Sequence, residues 1–199
     1  MTRTRLSLAL AGVVLAAGAA MVATSANAAP GGGACQLSGT ADFVTGPNTR
    51  AHAFTYGFAG TLSNCQSNVS APSGGSISAG KTITIGGIAY KEPASTGTGD
   101  CASNSTAGTA VVQWSDSTIT LLDYSTTSAA AGVVLQATVK PSMILTSVDG
   151  LSTTTVTSSR FSGATAKAVL AFEASPVECA GAGVTSAGIA GVAGIGTTA

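Results

Sequence analysis

The chain has 199 residues, 26 of them glycine, only 8% charged and 5% aromatic, with a formal net charge of zero. So little charge excludes the basic footprint by which a domain grips nucleic acid or anionic lipid. A hydrophobic content of 45% excludes the low-hydrophobicity, high-charge composition of a disordered chain, and the length suits one domain with a sizeable core.

Residues 1–28 read as a secretory signal peptide. Arg3 and Arg5 supply the charged start, a mostly apolar run follows from Leu6 to Ala23, and Ala26-Asn27-Ala28 has the small-x-small form of a cleavage site. Residues 29–199 then form one exported domain, in a compartment that permits disulfides. No Arg-Arg pair marks the twin-arginine route. Cys35 follows Gly32-Gly33-Ala34, well past the apolar run, which is not the setting of a lipidated cysteine. Loss of Arg3 and Arg5 leaves six basic residues against eight acids, a formal charge of −2.

Downstream, the dominant signal is alternation. Leu37, Gly39, Ala41 and Phe43 recur with period two, and so do His52, Phe54, Tyr56 and Phe58 within Ala51–Leu62. Gly46-Pro47-Asn48 between them is a turn signal, so the two segments read as paired antiparallel strands. Lys81–Ile85 and Ile88–Glu92 flank Gly86-Gly87, the pattern of a primed two-residue hairpin turn, which needs positive φ. Lys81, Lys91 and Glu92 read there as solvated charges at strand ends. Residues 93–108, rich in Ser, Thr, Gly and Asn, read as a loop pinned at Cys101. Ala110–Trp114 and Thr118–Tyr124 form a second hairpin around Ser115-Asp116-Ser117. Gly132–Val139 is a further strand that Pro141 ends or displaces to an edge. Leu151–Val156 and Ala164–Glu173 follow. The uncharged tail has the length of a membrane helix, but it is dense in Gly and lacks Leu, Phe and Trp, so it reads as a last strand, Val184–Ile195. No helical periodicity persists. The expected fold is all-β: an antiparallel sandwich of immunoglobulin-like or jelly-roll type, or a small closed barrel, with about eight to ten short strands.

All four cysteines, Cys35, Cys65, Cys101 and Cys179, lie in the exported part and read as two disulfides, for which three pairings exist. Cys35 opens the first strand and Cys65 closes the second, which favours Cys35–Cys65 and leaves Cys101–Cys179. The gaps are too wide, and Cys-x-x-Cys is missing, for a zinc ribbon or finger.

The sequence contains no coherent catalytic set, metal site or cofactor motif. His52 is the only histidine, so any Ser-His-Asp arrangement must use it, yet it sits on the aromatic face of a strand and no Gly-x-Ser-x-Gly elbow accompanies it. Ser78-Ala-Gly-Lys81 matches the Ser-x-x-Lys pattern of penicillin-interacting enzymes, but it precedes a strand and has neither companion motif. A glycosidase needs two carboxylates facing one cleft; most of the acids adjoin turn signals, where Asp bonds its own backbone, and Asp42 and Asp123 read as solvated strand residues. Tyr90, Trp114 and Tyr124 are the ligand-binding candidates, as aromatics able to stack on a sugar ring, with Trp114 flanked by Gln113 and Asp116. Asn68-Val-Ser70 and Asn104-Ser-Thr106 are glycosylation sequons, expected to be unused behind a signal of bacterial style.

Leu37-Ser-Gly-Thr40 after an early cysteine, Gly60-Thr-Leu-Ser-Asn-Cys65, Gly108-Thr-Ala-Val-Val-Gln-Trp-Ser-Asp116, Arg160-Phe-Ser-Gly163, a late cysteine and a Gly-rich terminal strand together resemble a diffuse group of small secreted actinobacterial proteins. The resemblance spans most of residues 29–199 and implies an all-β, disulfide-linked fold with no assigned activity. The chain departs from the group at Ser117, where Gly is expected, which puts the turn type in question. The resulting expectation is a secreted, non-enzymatic binding or structural domain, extracellular or at the cell wall. Its partner would be a wall polymer or another secreted protein, with no nucleic acid and no stable membrane insertion. The alternatives are a hydrolase with an unrecognised site and a pore-type envelope protein.

Overall fold

The computed structural model describes residues 32–67 and 72–196. The leader (1–28), the Asn68 sequon and the last three residues lie outside them. Among the described residues thirteen strands and one short helix form.

Eight staves close into an antiparallel barrel. In spatial order they are β1 (Gly33–Phe43), β13 (Ser186–Gly196), β12 (Thr165–Ala174), β9 (Gly132–Lys140), β8 (Ile119–Ala129), β7 (Ser103–Trp114), a divided stave, and β2 (His52–Ser67), which pairs back to β1. The divided stave consists of β3 (Gly75–Ala79) and β6 (Ser95–Gly99). β3 lies between Phe58–Leu62 and Ala110–Trp114, while β6 continues the same line between His52–Tyr56 and Asn104–Ala107. Between them the chain leaves the wall as the hairpin β4 (Thr82–Ile85) and β5 (Ile88–Lys91). With β10 (Ser142–Ser147) and β11 (Thr153–Thr157) this hairpin builds a second sheet, ordered β11-β10-β5-β4.

The two sheets create two cores. Alternate residues of every stave point inward, and Leu37, Leu62, Ile77, Leu122, Val133 and Leu170 belong to the barrel core. The second sheet buries Ile83, Tyr90, Met143, Leu145 and Val156 against Val111 and Leu121 on the outer wall of β7 and β8. This explains why Val111-Val112 and Leu121-Leu122 are consecutive apolar pairs rather than alternating ones: one member of each faces either core.

Both disulfides form as Cys35–Cys65 and Cys101–Cys179. The first joins neighbouring strands at the lower end, where β1 begins. The second ties the β6–β7 turn to the helix α1 (Pro176–Ala180) at the upper end, where β1 finishes at Phe43. The Gly86-Gly87 hairpin forms with Ile85 opposite Ile88 and positive φ at both glycines.

Several expectations need correction. Residues 93–108 are not one loop, because β6 and the start of β7 complete the barrel wall there. Pro141 does end its strand, since β9 stops at Lys140 and the chain turns there into β10, but β3, β6 and β10 raise the number of strands above the expected range. Glu92 is not a solvated strand-end charge but is 2% exposed.

Candidate functional site

An eight-stranded barrel has room for side chains or for one small ligand. Here Ala41, Ala79, Ala110, Ala166, Ala168 and Ala193 line the interior where larger residues would fill it, and a cavity of about 130 Å³ remains. That is about the size of an engineered apolar cavity that admits benzene.

The upper end is closed by aromatic rings and a folded-back loop. Phe43 packs edge-on against Phe54 and Phe172, with centroids 5.8 and 6.4 Å away. Pro47 and Val184 are fully buried above them, joined by Val184 N donating to Pro47 O at 3.0 Å. The approach is so close that a Cβ on Gly46 would lie 1.7 Å from Val184 O, so only glycine fits. At the lower end Trp114 packs against Phe161 with centroids 5.8 Å apart.

One wall of the cavity is hydroxylated. Tyr56 Oη lies 2.7 Å from Tyr124 Oη and 2.9 Å from Thr106 Oγ1; Thr106 Oγ1 lies 2.7 Å from Thr126 Oγ1. Tyr124 donates to Ser95 Oγ at 2.9 Å. A Cβ on Gly108 would come within 2.6 Å of Ser95 Oγ and 2.9 Å of Tyr124 Oη, so glycine keeps the space these oxygens occupy. Burial raises the pKa of both phenols above the ordinary tyrosine value, because ionisation would place charge in an apolar interior. Both are therefore neutral across the physiological range.

A second buried polar group sits where the divided stave breaks. Glu92 accepts from Ser78 Oγ at 2.7 Å and from the Lys81 amide at 2.9 Å, which ties the end of β3 to the segment leading into β6. Burial raises its pKa, partly offset by those two bonds.

The three aromatic candidates fare differently. Tyr90 and Trp114 are 6% and 7% exposed, so neither has a free face for a sugar; Tyr90 belongs to the second core and Trp114 Nε1 donates to Thr120 Oγ1 at 2.9 Å. Tyr124, 9% exposed, is also no surface platform, but its hydroxyl belongs to the polar wall and its side chain lines the cavity. Ser78 and Lys81 are not a catalytic pair: Ser78 donates to Glu92, whereas Lys81 Nζ reaches Asp42 at 2.6 Å. His52 Nδ1 bonds the backbone oxygen of Arg50 at 2.8 Å, and among the described residues its buried Nε2 has no hydrogen-bond partner, so no hydroxyl or carboxylate completes a triad through it. Among the described residues no three His, Cys, Asp or Glu side chains gather closely enough to hold a metal ion.

The polar wall escaped the sequence reading because Thr106 and Gly108 fall in the stretch read as loop. The signal was nonetheless present: Thr126 and Ser128 continue the inward face of Leu122 and Tyr124 at period two. No family model, curated protein or solved structure matches the chain.

Proposed function

We propose that this protein is an exported, non-enzymatic container: a disulfide-stapled barrel that holds one small, mainly apolar molecule and acts in the extracellular space or at the cell wall. The observation that carries the reading is the alanine-lined cavity of about 130 Å³ inside a closed barrel. A barrel built only as a scaffold gains stability by filling such space, since unfilled volume costs about 24 cal/mol per Å³. Export is supported by the leader-like residues 1–28 and by two formed disulfides, which suit an oxidising compartment. No helix among the described residues is long and apolar enough to cross a membrane.

Two measurements test the reading. Intact mass of protein from the culture medium should correspond to a chain starting near Ala29 and four hydrogens light; a retained leader in a membrane fraction would contradict export. Toluene should raise the melting temperature of the purified protein. Ala168→Leu, which fills the cavity, should abolish that rise while leaving the barrel folded. Equal toluene shifts in both proteins would refute the container.

A further inference from the structure

The hydroxyl wall has a fixed polarity, and that polarity selects the ligand. The one bond whose direction geometry fixes is Tyr124 donating to Ser95. A hydroxyl has a single proton. With its proton committed, Tyr124 must accept from Tyr56 across their 2.7 Å contact. Tyr56 then has no proton for Thr106, so Thr106 donates to Tyr56 at 2.9 Å. Thr106 in turn must accept from Thr126 at 2.7 Å. The chain therefore runs in one direction, Thr126 to Thr106 to Tyr56 to Tyr124 to Ser95.

The four members that line the cavity are Thr126, Thr106, Tyr56 and Tyr124, and every one of their protons is consumed within the chain. Ser95, whose own proton the chain leaves uncommitted, does not line the cavity. Asn104, also at the wall, commits one of its two amide protons to Asp100 O at 3.1 Å and keeps one further donor there. The four hydroxyls thus offer lone pairs and withhold their own protons. Both tyrosines stay neutral, so the hydroxyl wall carries no charge, and Lys167, which borders the cavity from β12, is an exposed residue between the inward Ala166 and Ala168.

We propose that the cavity binds a small neutral hydrogen-bond donor, a phenol or comparable alcohol with an apolar body of about one ring, and rejects carboxylates and other acceptor-only molecules. The ligand hydroxyl donates to the wall at its Thr126 end, and its ring lies against the alanine side. This deepens the container reading and rests on it.

The test compares phenol, toluene and benzoate by calorimetry on the full exported protein, with Thr126→Val and Ala168→Leu. Toluene matches phenol in size without the donor, and benzoate replaces the donor with a charged acceptor. Phenol should bind about tenfold more tightly than toluene, the worth of one net hydrogen bond, and benzoate should not bind, since an unpaired charge cannot enter an apolar interior. Thr126→Val keeps the shape and should bring phenol to within about twofold of toluene, a loss confined to the hydrogen-bond contribution. Ala168→Leu should lose both. Toluene binding as tightly as phenol, or benzoate binding best, would overturn donor selection and leave the container standing. Failure of all three ligands, or binding that Ala168→Leu does not reduce, would overturn the container and this inference with it.

Discussion

Glu92 shows how one buried residue ties pH to stability. Its carboxylate bridges Ser78 and the Lys81 amide across the break in the divided stave, and burial holds its pKa above the ordinary carboxyl range. A carboxyl whose pKa is higher folded than unfolded binds its proton more tightly in the native state. Its contribution is then present at low pH and declines as pH rises through the mildly acidic range. Asp42, Asp116 and Asp149 are shifted downward, mainly by hydrogen bonds from Lys81, Thr118 and Ser147, and act in the opposite sense, losing their contribution as pH falls. The Glu92 effect is therefore read as a difference. Glu92→Gln can keep both bonds, with its oxygen toward the Lys81 amide and its nitrogen toward Ser78. The melting temperature of Glu92→Gln minus that of the wild type should increase as pH is raised from about 5 to 8. Glu92→Ala leaves the half-buried Lys81 amide and Ser78 hydroxyl without this partner and should cost about 1–3 kcal/mol in urea unfolding. A pH-independent difference between wild type and the Gln variant would remove Glu92 as the titrating group.

At the scale of elements, legibility followed locality. The Gly86-Gly87 hairpin was readable because its turn chemistry is complete within a few residues, and Ser117, flagged as a place where Gly is expected, does adopt positive φ at 65°. The first disulfide was readable because it joins strands adjacent in sequence. The division of one stave into β3 and β6 was not, since the two halves are linked only through strands on either side, and residues 80–94 leave the barrel between them. The burial of Tyr90 and Trp114 was hidden for the same reason: alternation marks a strand face as apolar but not which second sheet or loop covers it. The two disulfides also differ in reach, spanning sequence separations of 30 and 78. Loop-closure entropy grows with the logarithm of that span, so losing Cys101–Cys179 should cost about 1 kcal/mol more than losing Cys35–Cys65. The longer bridge also clamps the helix α1 over the upper end, whereas the shorter one reinforces strands that already pair. Urea midpoints of the two Cys→Ala double variants check this, and a larger loss for Cys35–Cys65 would show that the upper clamp contributes little.

For the whole molecule, the decisive property is which side of the barrel wall is apolar. A membrane-spanning barrel faces lipid with an apolar band and keeps its interior polar. This barrel is arranged the other way. Apart from its one hydroxyl wall, the interior is built from Leu, Ile, Val, Ala and aromatic side chains, while Thr40, Thr55, Thr61, Ser76, Ser125 and Thr127 stand exposed on the outside. Ion pairs also lie on the outer wall, Lys140 with Asp123 at 3.1 Å and Lys81 with Asp42 at 2.6 Å. The apolar exception is a single row in which Val134, Val169 and Val192 sit directly opposite one another on β9, β12 and β13. Three side chains on three staves do not make a band around eight. Insertion would bury the outward hydroxyls without partners and carry Lys167 toward the bilayer, at a cost of about 2–4 kcal/mol for a lysine near the midplane. The folded protein should therefore give no discrete conductance steps in planar bilayers and should sediment apart from lipid vesicles. Stable channels from folded protein with both disulfides intact would require the wall to turn inside out, and would exclude the closed apolar barrel as the working form.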